Sequence, residues 1–464
     1  MLIKFIGATK TVTGSMHYLI IKDKKILLDC GLYHGKRKDY YEINANFPYF
    51  QPAEIDYVIL SHAHIDHCGN IPNLVKRGFE GKIICTSVTD DLCRVMLLDS
   101  GYIQEKDAEY VNKKHFKKGL PPVEPLYTQK DAEESLKLLY GIPYHKTFEI
   151  DEKIEITFYD AGHILGSAIT QMKIKTNGKN LNLTYLGDLG RPKLPIIKDP
   201  ELVETPDYLI TEGTYGARFH QPPQEVKNIL IEVLFNALKR NGKIIIPAFS
   251  FGRTQQLVLL FHEIFDEYFF SIPIFIDSPL SAKITEIYSK HAECFDEETF
   301  RYMQNGNPPF KFAQATYIES VEESKSLNDL NEPAIIISAS GMCETGRILH
   351  HLANNIEDSR NTILIVGYNA PHTLGRKISE GQSPVKIFGD EYKVKAKVVV
   401  LDALSAHADQ KEFLNYFSNF DKNKLRKIFL VHGDESELIE FERVLERENY
   451  KNISIPDKGD EFHL

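Results

Sequence analysis

The rhythm of apolar positions changes twice along this chain. Short runs open it at Leu2–Phe5, His17–Ile21 and Lys25–Asp29, each followed by a glycine-containing or polar turn, and these predict strands. Asp56–Ser61 (DYVILS) predicts a buried strand that ends at a histidine cluster, and Gly69–Arg77 a helix after it. Further strands are expected at Lys82–Cys85, Ile154–Asp160, Ala168–Ile174 and Leu181–Gly187. Asp99–Tyr140 differs: it is charged, helical in pattern and interrupted by LPPVEP, and it reads as a helical excursion on the surface of a first domain. From about Asp207 apolar strands alternate with helical segments: DYLIT, Gln224–Arg240, KIIIPAF, Thr254–Phe269, IPIFID, then AIIISAS and TILIVGY. That alternation predicts a parallel sheet flanked by helices. After about Val394 short strands return (KAKVVVLDA, KIFLVHG) with two helices. The economical division is one domain interrupted by another: 1–208, an insert over 209–394, and 395–464 completing the first.

Composition narrows the class. The chain has 464 residues, enough for two cores, with 42% hydrophobic and 26% charged residues, as in ordinary globular proteins. No apolar run approaches bilayer length, and the first twenty residues lack the apolar core of a signal peptide, so a cytoplasmic protein with no membrane partner is expected. Six cysteines, at 30, 68, 85, 93, 294 and 343, form no CxxC pair and are expected to be free thiols. A formal net charge of −10 argues against nonspecific coating of nucleic acid. It leaves room for a local phosphate site, where metal ions supply the positive charge. The basic run Lys113, Lys114, Lys117 and Lys118 is read as a solvated helix face in preference to an RNA grip.

The chemistry concentrates in His62-Ala-His64-Ile-Asp66-His67, directly after a predicted strand. Four metal-capable side chains in six residues cannot share one face of a strand or helix. They converge only if the segment loops around ions, and imidazole with carboxylate suits two Zn²⁺. A surface histidine cluster is the plainer alternative, disfavoured by the position at the end of an apolar strand. His163 in AGHILGSA, Asp188 in YLGDLGR and His432 in FLVHGDE also follow strands and have glycine beside them or close by, and together they supply the missing ligands. Asp29, ending KILLD, is weighed evenly between bonding a ligand imidazole and a turn or cap role.

These residues carry a resemblance. HAHIDH is similar to the H-x-H-x-D-H signature of the metallo-β-lactamase superfamily, and His163 and Asp188 resemble its later motifs. Glu212 in TEGTYG, His407 in LSAHAD and His432 in LVHGD resemble the β-CASP nucleases. GATKTVTGS, LLDCGLYHG, PAFSFGRTQQ, DSPLS, SASGMCETGR and VGYNAPHTLGR extend the likeness over nearly the whole chain, to short bacterial and archaeal members related to the cleavage-and-polyadenylation endonuclease subunit. The resemblance implies an α/β fold: a metallo-β-lactamase αββα sandwich with an inserted β-CASP α/β domain. It implies two zinc ions, one held by His62, His64, His163 and Asp188, the other by Asp66, His67, Asp188 and His432. It implies water activated for in-line attack on an RNA phosphorus, leaving 5′-phosphate and 3′-hydroxyl ends. The departing 3′-oxygen needs a proton, for which His407 is the candidate acid, with Glu212 orienting it; Asp66 is counted with them as catalytic.

The predicted insert contributes small-residue turns after strands, where backbone N–H groups can bind phosphate. Arg253, Arg347 and Arg376 each follow glycine in such turns, and with Ser340, Gly341 and Thr373 they are candidate contacts to RNA phosphates; salt bridges are the plainer reading for the arginines. His372 stands before TLGR where related sequences usually carry glycine. SFGRTQQ lacks the order of a P-loop. The alternatives are a small-ester or lactam hydrolase on the same fold, which needs no such insert, a DNA nuclease of the crosslink-repair branch, whose last motif usually lacks the histidine found at His432, and a non-catalytic RNA binder, which would have lost ligands. Endonuclease action is favoured, with 5′-exonuclease action and a homodimer left open.

Overall fold

The computed structural model describes residues 1–35, 37–176, 179–367, 369–370 and 372–464. The chain forms two compact units. The first holds Met1–Pro192, Asp199–Phe219 and His407–Leu464; the second holds Lys193–Lys198 and His220–Ala406.

The first unit is built on two seven-stranded sheets. In one, Glu461–His463, Leu2–Phe5, His17–Ile21 and Lys24–Leu28 run antiparallel in that order, and Tyr57–Ile59, Lys82–Thr86 and Leu139–Ile142 continue in parallel. In the other, Ile453–Ser454, Lys427–Val431, Tyr208–Glu212 and Lys179–Tyr185 are parallel neighbours, and Ala168–Thr176, Ile154–Asp160 and Phe148–Asp151 close it antiparallel. Side-chain alternation explains the layering. On Lys427–Val431, Phe429 and Val431 enter a core shared with Ile3, Phe5, Leu19 and Phe158 of both sheets. Ile428 and Leu430 face the other way, onto Phe413, Phe417 and Phe441 of the helices Gln410–Phe417 and Glu435–Arg447 and the residues around them. Two sheets packed face to face, with helices outside, give the αββα layering that the resemblance implied.

The second unit has a six-stranded, all-parallel sheet: Ala315–Tyr317, Ile274–Asp277, Ile335–Ser338, Ile244–Pro247, Thr362–Val366, Lys397–Leu401. Three of its four interior strands are buried at every position and the fourth at all but Phe275, as a sheet covered on both faces requires.

Several expectations shift. The contact-defined units divide at 219/220 and 406/407, not at 208/209 and 394/395. DYLIT is a central strand of the first unit, between Lys179–Tyr185 and Lys427–Val431. KVVVL, read as a return to the first domain, is the edge strand beside Thr362–Val366 in the second. An edge strand is half exposed, so its pattern does not reveal which sheet accepts it. The helical excursion begins earlier, as one helix over Ser87–Lys118 capped by Thr86, because Val88, Leu92, Cys93, Met96 and Leu97 form a helical stripe that is buried. It also ends earlier: after the helix Gln129–Leu136, Tyr140 lies in a strand. The helix expected at Gly69–Arg77 spans Ile71–Lys76, after a short one at Ile65–Cys68. All six cysteines are buried and free, and among the described residues no helix is long and apolar enough to cross a membrane.

Candidate metal centre

The strand Tyr57–Ile59 delivers the chain to Ser61 and His62, and the turn into the helix Ile65–Cys68 aims the next three ligand candidates. The fit is tight enough to dictate glycines nearby. A Cβ at Gly31 would stand 1.6 Å from the Asp66 carbonyl oxygen, and one at Gly190 would stand 1.7 Å from that of Gly162.

Four segments, carrying His62–His67, His163, Asp188 and His432, bring two donor sets together. In one, His64 Nδ1 lies 3.1 Å from His62 Nε2 and 3.2 Å from His163 Nε2, while Asp188 Oδ2 lies 3.6 Å and 3.5 Å from those Nε2 atoms. In the other, His432 Nε2 lies 3.3 Å from both His67 Nε2 and Asp66 Oδ2, and Asp188 Oδ1 lies 3.3 Å from His67 Nε2. The two oxygens of one carboxylate thus face two different sets. Four ligands placed tetrahedrally at about 2.05 Å from an ion stand about 3.3 Å apart, so these spacings suit zinc-sized sites. Asp188 Oδ1 is buried and has no hydrogen-bond partner among the described residues, an atom that a cation would satisfy.

Protonation agrees with that fit. Burial holds His62 well below the usual imidazole range and brings His64 down to about 4, so their lone pairs are free for a metal. Burial would lower His67 too, but the carboxylates of Asp188, Asp29 and Asp66 hold it well above its ordinary value. Burial would raise Asp188, yet His432 and His67 hold it well below. Acids clustered around one buried imidazole call for positive charge, which a bound cation brings.

Partners fix the far side of the rings. Asp29, fully buried and at a left-handed φ of 59°, accepts from His67 Nδ1 at 2.6 Å through Oδ2, which also accepts from Tyr185 Oη at 2.6 Å, Ser61 Oγ at 2.9 Å and Ser15 Oγ at 3.3 Å. Its Oδ1 accepts the Ser61 amide at 2.7 Å. Ser61 Oγ, donating to Asp29, is placed to accept from His62 Nδ1 at 3.0 Å. Thr214 Oγ1 donates to the His432 carbonyl at 3.0 Å, so it can accept from His432 Nδ1 at 3.2 Å and leave Nε2 for the metal side. Asp29 thus combines a left-handed turn conformation with a hydrogen bond to the imidazole of a ligand candidate. Ser15, Ser61, Tyr185 and Thr214 were missed by the sequence reading. All four lie in segments that the sequence already marks, Ser15 in GATKTVTGS, Ser61 in DYVILS, Tyr185 in YLGDLGR and Thr214 in TEGTYG, but no local pattern shows which partner each takes.

Beside these sets stands an imidazole–carboxylate pair. His407 Nδ1 is 3.0 Å from both oxygens of the fully buried Glu212 and 3.9 Å from Asp188 Oδ2. Glu212 Oε1 also accepts the Leu189 amide at 2.8 Å, one residue past Asp188. Burial would lower His407, but Glu212 prevails and raises it to about 9.

The phosphate candidates all lie in the second unit, after the carboxyl ends of its strands. Arg347 Nη1 pairs with the buried Asp277 at 2.6 Å and its Nη2 donates to the Glu319 carbonyl at 2.7 Å, which is the salt-bridge reading. Arg253 is buried and donates to Gln256 at 2.9 Å. Arg376, half exposed, pairs with Glu380 at 2.6 Å. Ser340 Oγ accepts the amides of Glu344 and Thr345, Gly341 packs near Phe249, and Thr373 caps the helix Leu374–Ser379. The turn containing Thr373 includes Tyr368 and Pro371, which lie outside the described residues.

Fold and site together define a metallo-hydrolase with a histidine–aspartate centre. Three family models match the chain: the metallo-beta-lactamase superfamily over residues 11–98, the Beta-Casp domain over 254–378, and the Zn-dependent metallo-hydrolase RNA specificity domain over 391–456. Ribonuclease TTHA0252 of Thermus thermophilus is 32% identical over 440 residues, 95% of this chain and 94% of that protein. The transcription termination factor FttA of Methanocaldococcus jannaschii is 32% identical over 465 residues, 98% of this chain and 70% of that one. A solved protein of unknown function from Enterococcus faecalis shares the fold at a TM-score of 0.59 and 12% identity, over 100% of this chain and 99% of that one. The chain belongs to the β-CASP ribonuclease family of the metallo-β-lactamase superfamily.

Proposed function

We propose that this protein hydrolyses RNA phosphodiester bonds with two zinc ions, leaving 5′-phosphate and 3′-hydroxyl ends, chiefly as an endonuclease with accompanying 5′-exonuclease action. The observation that carries it is Asp188, whose two oxygens face two separate donor sets while a carboxylate-held imidazole stands beside them. His62, His64 and His163 would hold one ion, Asp66, His67 and His432 the other, with Asp188 between them. When bound, the ions supply Lewis acidity and lower the pKa of water. Glu212 occupies Nδ1 of His407, which leaves Nε2 to face a substrate and carry a proton to the departing 3′-oxygen. A phosphodiester with an alkoxide leaving group needs that proton; an activated ester or lactam needs it less. The names of the relatives, a ribonuclease and transcription termination factors, support RNA over DNA.

The test is cleavage of 5′-labelled RNA carrying either a 5′-triphosphate or a 5′-monophosphate. Internal fragments from both substrates, with free 3′-hydroxyl ends, are expected. Products ending in 2′,3′-cyclic phosphate would overturn the proposal, and so would cleavage confined to DNA. A homodimer and a cytoplasmic location belong to the same proposal, and sedimentation velocity measures the first.

A further inference from the structure

The helix Ser87–Lys118 carries exposed side chains that the candidate site does not use. Its first half is anchored by a buried apolar stripe, and the hydroxyls of Thr86 and Thr89 each donate at 2.8 Å to the carbonyl of Gly166, in the loop that carries His163. Beyond Gly101 only Ala108 is buried. On this projecting half Tyr102, Lys106, Tyr110, Lys114 and Lys118 occupy successive i, i+4 positions and form one exposed stripe that winds about 40° around the helix axis, with about 6 Å of rise, from each to the next. The Lys106 ammonium lies 5.6 Å from the Tyr102 ring and that of Lys114 lies 4.2 Å from the Tyr110 ring. Lys113 and Lys117 flank the stripe, and Phe116 is 88% exposed. No acidic residue occurs from Tyr110 to Val123. Lys106 pairs with Glu109 at 2.9 Å, whereas among the described residues Lys113, Lys114, Lys117 and Lys118 form no ion pair, so the uncompensated charge lies in the last two turns.

A merely solvated helix end accounts for the lysines. It does not account for rings held in water among them, since exposed aromatic surface is unfavourable unless something covers it. Interleaved cations and aromatic faces are what a single-stranded nucleic acid requires: ammonium groups for phosphates, rings for bases. An acidic protein segment would use the charge and leave the ring faces idle.

We propose that this stripe docks a single strand of RNA, an inference that rests on the ribonuclease reading for its choice of nucleic acid. Lys114 lies about 40 Å along the helix from Ser87, beside the His163 loop, at 1.5 Å per residue. A strand engaging both places spans on the order of a dozen nucleotides at 3.4 Å each. The stripe therefore adds affinity for long strands and none for short ones.

The experiment measures binding of metal-loaded protein to phosphorothioate-linked single strands of roughly 30 and roughly 6 nucleotides, lengths chosen either side of that span. One variant combines Lys113→Gln, Lys114→Gln, Lys117→Gln and Lys118→Gln; a second combines Tyr110→Ala and Phe116→Ala. The lysine variant should lose tenfold or more in affinity for the long strand and lower the salt slope by about 0.7 per lysine engaged. The aromatic variant should lose about fivefold or more with the slope kept. Neither should change short-strand affinity. Wild-type long-strand affinity and slope in both variants would overturn the proposal, as would equal losses on long and short strands. Loss confined to the lysine variant and equal on duplex RNA would mean a charge patch without stacking. Intact RNA binding with an altered sedimentation coefficient would mean a protein interface. Both results would overturn it. Circular dichroism reports whether the helix persists. Wild-type cleavage of the short strand, assayed separately with ordinary linkages, reports on the ribonuclease reading, so failure of one is not failure of the other.

Discussion

Asp29→Asn changes one oxygen to NH₂ in a fully buried position, and the cost can be worked from the bonds that oxygen and its partner make. Oδ1 keeps the Ser61 amide. Oδ2 accepts from His67 Nδ1, Tyr185 Oη and Ser61 Oγ, and an amide nitrogen there meets donors with a donor. The hydroxyls can rotate, and Ser15 Oγ, 3.0 Å from Tyr185 Oη, offers an alternative acceptor. The His67 Nδ1–H cannot turn away, and its other neighbour, Ser61 Oγ at 3.4 Å, is a long contact to an oxygen already shared with His62 Nδ1, so it is left poorly paired, or the ring moves its proton to Nε2 and loses the lone pair that faces the metal side. One or two unsatisfied buried groups cost about 1–3 kcal/mol each, so stability should fall by about 1–6 kcal/mol. Zinc affinity should fall about 10–100-fold, the usual weight of a carboxylate behind a ligand imidazole. The loss should fall first on the ion assigned to Asp66, His67 and His432. The assay is competition with a zinc chelator, read by elemental analysis, beside thermal unfolding of the metal-free protein. Wild-type zinc affinity in a folded Asp29→Asn protein would refute the claim that this carboxylate sets His67.

Four further outcomes follow from the structure. His407→Ala should keep its zinc and lose about 10²–10⁴-fold in RNA cleavage, but only a small factor on a nitrophenyl phosphodiester, whose leaving group needs no proton; equal losses would end the acid assignment. Glu212→Gln removes the carboxylate that raises His407 to about 9, so the alkaline limb of kcat/KM should move to lower pH. Thr214→Val should loosen zinc binding through His432 while Thr214→Ser restores it, and a chelator titration with no difference between the two would refute the role of the hydroxyl. His17 is fully buried against Phe5 and Tyr185, and burial lowers it to about 3. The unfolded chain takes up this proton below about pH 6.5 and the folded chain does not until about 3, so stability should fall with decreasing pH in that window by up to about 1.4 kcal/mol per pH unit. His17→Phe should flatten that slope in chelator-treated protein, and an unchanged difference between pH 6 and 4 in denaturant titrations would show that the ring is protonated in the fold.

The amino-acid sequence by itself determined the local parts. HAHIDH after an apolar strand, the glycines near His163, Asp188 and His432, and the alternation that makes strands are all short-range patterns, and chain chemistry within a few residues suffices to write them. Tertiary structure alone decided what lies between distant segments. Tyr185 reaches Asp29 from 156 residues away, and Thr214 reaches His432 from 218. Arg347, a phosphate candidate from its turn, meets the buried Asp277 70 residues earlier and is held there. The strand KVVVL carries the same signature whichever sheet receives it, and it joins the second unit because the edge at Thr362–Val366 is where its backbone is paired. Side-chain periodicity says which face of an element is buried. Which partner does the burying depends on hydrogen bonds and packing closed across long loops, and no local pattern contains them.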